Sequence, residues 1–116
     1  MSDTPLAIND YAKYISRWRE GKGFVTSWEN MMTKLMLVVT EVSEAAEDYR
    51  HNNREHFAEE MADCFIRLMD ITDALGIDIE KAILEKMAKN ECRPYKHGMV
   101  NGDVAVSTEQ PAGGPR

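Results

Sequence analysis

The stretch REHFAEEMADCFIRLMDITDAL, residues Arg54 to Leu75, decides the fold. With successive residues turned by about 100°, Phe57, Met61, Cys64, Phe65, Leu68 and Thr72 gather on one side of a helix, and Ala58, Ala62, Ile66 and Met69 on another. Between the two runs lies one polar stripe: His56, Glu60, Asp63, Arg67 and Asp70. A helix that is apolar on two broad sides is buried on both, which a small four-helix monomer hardly arranges. The pattern therefore predicts a homo-oligomer with this helix near its centre. A greasy surface helix is the blander reading.

Working outward, three more helices and no strand are expected. Residues 28–50 carry Met31, Leu35, Val38, Val39, Val42, Ala45, Ala46 and Tyr49 on one face, the spacing of an inward-facing helix. Thr26 or Ser27 is its expected N-cap, and His51-Asn52-Asn53 breaks it. Residues 7–20 place Ile8, Tyr11, Ile15 and Trp18 together, closed by Gly21-Lys22-Gly23. Gly76 ends the decisive helix. A fourth helix starts at Asp78, with Ile79, Ala82, Ile83 and Met87 as its stripe and Lys86, Lys89 and Asn90 near its end. The expected fold class is all-α: a four-helix chain forming an intertwined helical bundle in a homo-oligomer. Residues 98–116 hold four of the seven glycines and two of the four prolines. They read as a mobile C-terminal tail, which leaves residues 1–97 as the helical domain.

A chain of 116 residues suffices for one domain. Its 43% apolar and 29% charged residues exclude a disordered protein, a collagen-like repeat and a disulfide scaffold. No run approaches the roughly 20 apolar residues that span a bilayer, so no membrane partner is expected. Cys64 and Cys92 fit no metal-type spacing, and Cys64 reads as a small core residue. The opening Met-Ser-Asp-Thr-Pro-Leu lacks the basic and apolar regions of a secretory signal, so a cytoplasmic location is expected. The net charge of −6 disfavours a nucleic-acid partner. All of that charge falls between Glu29 and Asp63, where nine acidic residues meet three basic ones; the remainder holds eleven of each sign.

The second helix has a polar edge beside its apolar stripe: Lys34, Glu41, Glu44 and Asp48. In an antiparallel hairpin across residues 51–53, Glu41 and Glu44 oppose Glu60 and Asp63. Four carboxylates in a partly dry groove cannot all stay ionised without compensation. Protonation, basic partners or a divalent cation can supply it. An all-oxygen set suits a hard ion such as Mg²⁺ or Mn²⁺, whereas zinc wants His or Cys as well. A solvated acidic face is the alternative, and the preferred reading for Glu47, Asp48 and Glu59.

Glu41-Val-Ser-Glu44, fifteen further residues, then Glu60-Met-Ala-Asp63 resembles the ExxE…ExxD signature of the MazG-like, all-α nucleoside triphosphate pyrophosphohydrolases. The context is similar too: Lys34-Leu-Met-Leu before the first pair, Ala45-Ala46-Glu47 after it, Leu75-Gly76-Ile77-Asp78, Lys86-Met-Ala-Lys-Asn90, and Arg93-Pro94-Tyr95-Lys96. The resemblance implies hydrolysis of a nucleoside triphosphate between its α and β phosphates, giving the monophosphate and pyrophosphate. It implies Mg²⁺, or Mn²⁺ in its place, held by Glu41, Glu44, Glu60 and Asp63, which become the expected catalytic and metal-binding residues. It also implies assembly as a homodimer or a dimer of dimers.

In that family the Lys86 and Asn90 pair contributes to nucleotide binding, and Arg93, Tyr95 and Lys96 extend the same basic patch. An ordinary charged helix end is the alternative. Trp28, with Trp18 and Phe24, lies where aromatics of related enzymes stack on the base, although core packing explains them equally well. Lys34 joins the expected substrate-binding group. Arg67 and Asp70 are expected to pair with each other and orient the metal carboxylates. Two alternatives stand beside this reading. One is a pyrimidine-selective dUTPase or dCTPase of the same superfamily, and the other a non-catalytic helical dimerisation module.

Overall fold

A computed structural model of the protein describes residues 7–94, 99–100 and 103–104. Four helices form close to the limits read from the sequence: α1 (Ile8–Gly21), α2 (Met31–Arg50), α3 (Arg54–Ala74) and α4 (Ile79–Cys92). A single 3-10 turn, Trp28–Asn30, leads into α2. The chain makes two compact units, Met1–Glu80 and Lys81–Arg116. Among the described residues no helix is long and apolar enough to cross a membrane.

Each of the first three helices stops for the same reason. The chain turns through one left-handed residue, Gly23 at φ 88°, Asn52 at 55° and Gly76 at 70°. That turn lets the next N–H groups reach back to carbonyls the helix leaves orphaned. After α3, Ile77 N–H donates to the Thr72 carbonyl at 2.8 Å and Gly76 N–H to Asp73 at 3.0 Å. After α2, Asn53 N–H donates to Asp48 at 2.9 Å and Asn52 N–H to Tyr49 at 3.0 Å. Asn53 then caps α3, its side-chain oxygen accepting the His56 N–H at 3.1 Å. Two asparagines thus stop one helix and start the next. The nested contacts Asp48–His56 and Glu41–Arg67 show that α2 and α3 run antiparallel.

At the entry to α2, Asn30 Oδ1 accepts the Ser27 N–H at 2.9 Å. Thr26, the other expected cap, turns its hydroxyl to Asp70 instead, at 2.7 Å. In the first unit α3 packs against both α1 and α2. Asn9, in the first turn of α1, holds residues 78–80: its backbone N–H donates to Glu80 Oε2 and its side-chain amide to Asp78 Oδ1, each at 2.8 Å.

The apolar core is thin: Ala12, Ile15, Met31, Ala45, Cys64 and Ile71 are the buried apolar residues among those described. The inner face expected for α2 is divided. Met31 and Ala45 are buried, but Leu35 is 40%, Val42 52%, Val39 54% and Tyr49 77% exposed. The inward strip instead runs through Met31, Lys34, Val38, Glu41, Ala45 and Asp48. α2 is rotated so that its carboxylate edge meets α3, and much of its apolar stripe faces outward. The expected face of α1 is corrected in the same way: Ile15 is buried, while Trp18 is 56% exposed.

In the second unit, Met99–Val100 pairs antiparallel with Asp103–Val104. The sequence reading held no strand here, because two-residue strands are too short to show alternation. The intervening Asn101-Gly102 is nevertheless a strong hairpin dipeptide. The rest of the expected tail, residues 98, 101–102 and 105–116, lies outside the described residues.

Candidate active site

The α2–α3 hairpin brings one oxygen each of Glu41, Glu60 and Asp63 within 4.8 Å of one another. Glu41 and Glu60 are the inner pair, their side chains 12% and 7% exposed. The Arg67 guanidinium donates from Nε to Glu41 Oε2 at 2.8 Å. Glu60 Oε1 is buried and meets no hydrogen-bond donor. Asp63 and Glu44 are exposed, and Glu44 stands outside the trio.

Electrostatics separates the two inner carboxylates. The Arg67 hydrogen bond holds Glu41 below the ordinary carboxylate range, against an opposing push from burial. Burial first, then sharing a proton with Glu41 and the charges of Glu44, Glu41 and Asp63, drive Glu60 up to about 7. One member is thus fixed as an anion and the other tends to keep a proton. Cys64 is buried beside them, and burial followed by the charges of Glu41, Asp63 and Glu60 raises its thiol. Burial and the raised thiol disfavour the thiolate form that a nucleophile needs.

The expected Arg67–Asp70 pair does not form. Arg67 serves Glu41, whereas Asp70 accepts from Ser16 Oγ at 2.9 Å, Thr26 Oγ1 at 2.7 Å and Arg19 Nε at 3.0 Å. Spacing of three on α3 would allow the pair, but each residue is engaged by another helix, Arg67 by Glu41 of α2 and Asp70 by Arg19 of α1. Sequence reasoning also left Asp48 on a solvated face. Its side chain is only 15% exposed and lies 2.8 Å from His56 Nδ1. His56 lies on the polar stripe of α3, and its partner becomes apparent only when the hairpin closes. Glu47 behaves as the solvated reading expects, pairing with Arg50 on the surface.

A cavity of about 360 Å³ adjoins this centre. Trp18 and Phe24 stand at its rim, Lys34 and Arg67 supply cations, and Leu37 and Ile66 supply apolar wall. Arg67 therefore touches both the cavity and the carboxylates. Trp18 and Phe24 are exposed rather than packed in the core, while Trp28, 73% exposed, takes no part in the cavity lining. In the second unit Lys86 and Asn90 lie one turn apart on α4, and Asn90 Nδ2 sits 3.9 Å from Met87 Sδ. Arg93 follows the helix, and Tyr95 and Lys96 fall outside the described residues.

The family model described as MazG nucleotide pyrophosphohydrolase domain matches residues 29–97, more than half of the chain and all four carboxylates of the two helical pairs. The chain belongs to the MazG family. It is accordingly a hydrolase, and its substrates are nucleotides. No curated protein and no solved structure matches it. The match begins at Glu29, so α1 and the segment bearing Phe24 lie outside it. Four of the ten residues that line the cavity, Ile15, Trp18, Arg19 and Phe24, thus lie beyond the matched MazG segment.

The MazG carboxylates fit a hard divalent cation. Their donors are all oxygen, three of them already converge, and the buried Glu60 Oε1 has no donor to satisfy it. A cation there would supply the missing partner and offset the repulsion that raises Glu60.

Proposed function

We propose that this MazG domain is a Mg²⁺-dependent nucleoside triphosphate pyrophosphohydrolase. It converts a nucleoside or deoxynucleoside triphosphate and water to the monophosphate and pyrophosphate. The observation that carries the reading is the buried, donor-free Glu60 oxygen set among Glu41, Asp63 and the charge of Glu44.

Glu41, Glu60 and Asp63 hold the cation, Mg²⁺ or Mn²⁺, with Glu44 completing the acidic ring. When bound, the ion screens the triphosphate from the acidic window and stabilises charge on the leaving pyrophosphate. Arg67 keeps Glu41 deprotonated and pointed inward. Glu44, outside the trio and bound by no guanidinium, is the carboxylate left to accept a proton from the attacking water. The water oxygen bonds to Pα, the bond from Pα to the bridging oxygen breaks, and pyrophosphate leaves with the bond's electron pair. Lys34 faces the phosphates from the cavity side. By the family resemblance, Lys86, Asn90, Arg93, Tyr95 and Lys96 also contribute to nucleotide binding.

The cavity supports broad base recognition. Trp18 and Phe24 offer π faces, which accept any base. Asp70, the one carboxylate in the lining, is already saturated by Arg19, Ser16 and Thr26. Few groups are left to read a pyrimidine edge, which favours a general triphosphate substrate over a dUTPase or dCTPase. Self-association as a homodimer or a dimer of dimers completes the proposal, because it would cover the outward apolar stripe of α2. The test is a panel of nucleoside and deoxynucleoside triphosphates, including dUTP and dCTP, followed by pyrophosphate detection with and without Mg²⁺. Metal-dependent pyrophosphate release that Glu60→Gln and Asp63→Asn abolish is expected. Release of orthophosphate, or turnover indifferent to both substitutions, would sink the reading.

A further inference from the structure

A second donor set touches the first. Asp48 ends α2 and His56 begins α3, one helical turn before Glu60, so the Asn52-Asn53 turn fixes all three relative to one another. Ligand atoms of Asp48, His56 and Glu60 lie within 4.8 Å of each other. His56 Nδ1 is 2.8 Å from Asp48 Oδ2 and 3.7 Å from Glu60 Oε2.

We propose that Asp48, His56 and Glu60 form an additional cation site, taking a borderline transition-metal ion through two carboxylates and an imidazole. Donors bound cis at about 2.1 Å around an octahedral ion lie about 3 Å apart. The two measured separations bracket that edge, so small side-chain rotations suffice. The state of Glu60 also points to a ligand. Glu60 is 6% exposed, its Oε1 meets no donor, and its Oε2 lies beyond hydrogen-bond reach of His56 at 3.7 Å. Apart from the proton it shares with Glu41, this buried carboxylate lacks the donors that such groups ordinarily have. The His56 side chain is 50% exposed, which leaves an entry path and room for water ligands. The imidazole sets the preference: nitrogen favours Co²⁺, Ni²⁺ or Zn²⁺, whereas the all-oxygen trio suits Mg²⁺. Glu60 is common to both sets, yet the site does not rest on the pyrophosphohydrolase reading.

The full chain, His56→Ala, His56→Gln and Asp63→Asn are titrated calorimetrically with Co²⁺ and with Mg²⁺, and the Co²⁺ absorption spectrum is recorded. Both His56 variants are expected to weaken Co²⁺ binding about tenfold or more while leaving Mg²⁺ binding unchanged. Asp63→Asn is expected to weaken Mg²⁺ and keep the His56-dependent Co²⁺ event. Co²⁺ binding indifferent to His56 would make Asp48–His56 a plain ion pair and overturn the proposal. A thiolate charge-transfer band would do the same by placing the ion on one of the two free cysteines. If triphosphates are not hydrolysed but His56-dependent Co²⁺ binding persists, the catalytic reading fails and this site stands.

Discussion

Replacing Asp70 by Asn should unfold much of the margin that holds the first unit together. Asp70 and its partner Arg19 are 12% and 11% exposed at their side chains, and three groups from α1 and the segment before α2 donate to the one carboxylate. The amide keeps a single acceptor oxygen, turns an NH₂ toward a former donor and leaves Arg19 unneutralised. Breaking a buried pair from one side costs about 3–5 kcal/mol, against a total stability of about 5–15 kcal/mol. With a urea dependence of about 1.5 kcal/mol per molar, the unfolding midpoint should fall by roughly 2–3 M. Burial alone would raise the Asp70 carboxyl, but hydrogen bonds from Arg19, Thr26 and Ser16 outweigh it and lower the group from its usual 3.8. Its contribution is therefore present above about pH 4 and is lost as pH falls through the depressed folded value. Urea unfolding followed by circular dichroism, at one protein concentration, should show the gap between the two proteins at pH 7 and its closure toward pH 2. A loss below about 1 kcal/mol at pH 7, or a gap that ignores pH, would refute the reasoning.

Glu60→Gln should raise the melting temperature of the metal-free protein at pH 8, because the native carboxyl, driven up to about 7 by burial and its acidic neighbours, resists ionisation there. Melts in chelator should show wild-type stability falling between about pH 4.5 and 7 and the variant flat, with no Mg²⁺-induced rise in the variant. Gly76→Ala meets no atom within 4 Å, so only its φ of 70° opposes it; a loss of about 1 kcal/mol is expected in urea unfolding. Asn52→Gly, at φ 55°, should gain about half a kcal/mol by the same assay. Val39→Glu, on the outward stripe of α2, should abolish the concentration dependence of melting and shift the sedimentation coefficient to that of one chain.

Helix number, helix limits and the carboxylate pairs were legible because each rests on local chemistry: apolar periodicity, glycine and asparagine stops, and i, i+3 spacing. What was not legible is rotation about the helix axis. Met31, Leu35, Val38, Val39, Val42 and Ala45 form one continuous stripe in sequence, but only the part sharing a side with Glu41 and Asp48 packs on α3. The choice between facing α3 and facing outward belongs to tertiary partners that a single helix does not encode. Asp70 illustrates the same limit. Its position on the polar stripe showed that it needed a partner, but Ser16 and Arg19 are more than fifty residues away. Asp48 and His56 were both visible as polar, and only the closing of the hairpin made them a pair.

The rotation of α2 also ties the electrostatics of the centre to the apolar surface outside. Turning Glu41 inward places ionisable groups where an ordinary hairpin would bury Val or Leu, and it turns Val39 and Val42 outward by the same movement. The interior loses apolar packing and gains repulsion, so local order depends on the helix ends, the asparagine turn and the Asp70 network. The exterior gains a surface that water disfavours. A cation at the carboxylates and a second copy on the α2 stripe would relieve the two halves of that one rotation. Each would act by binding the folded chain in preference to the unfolded one. The conformation that assembles the site is therefore also the one that leaves an apolar face exposed, so the proposed self-association would couple catalysis to assembly through the geometry of a single helix.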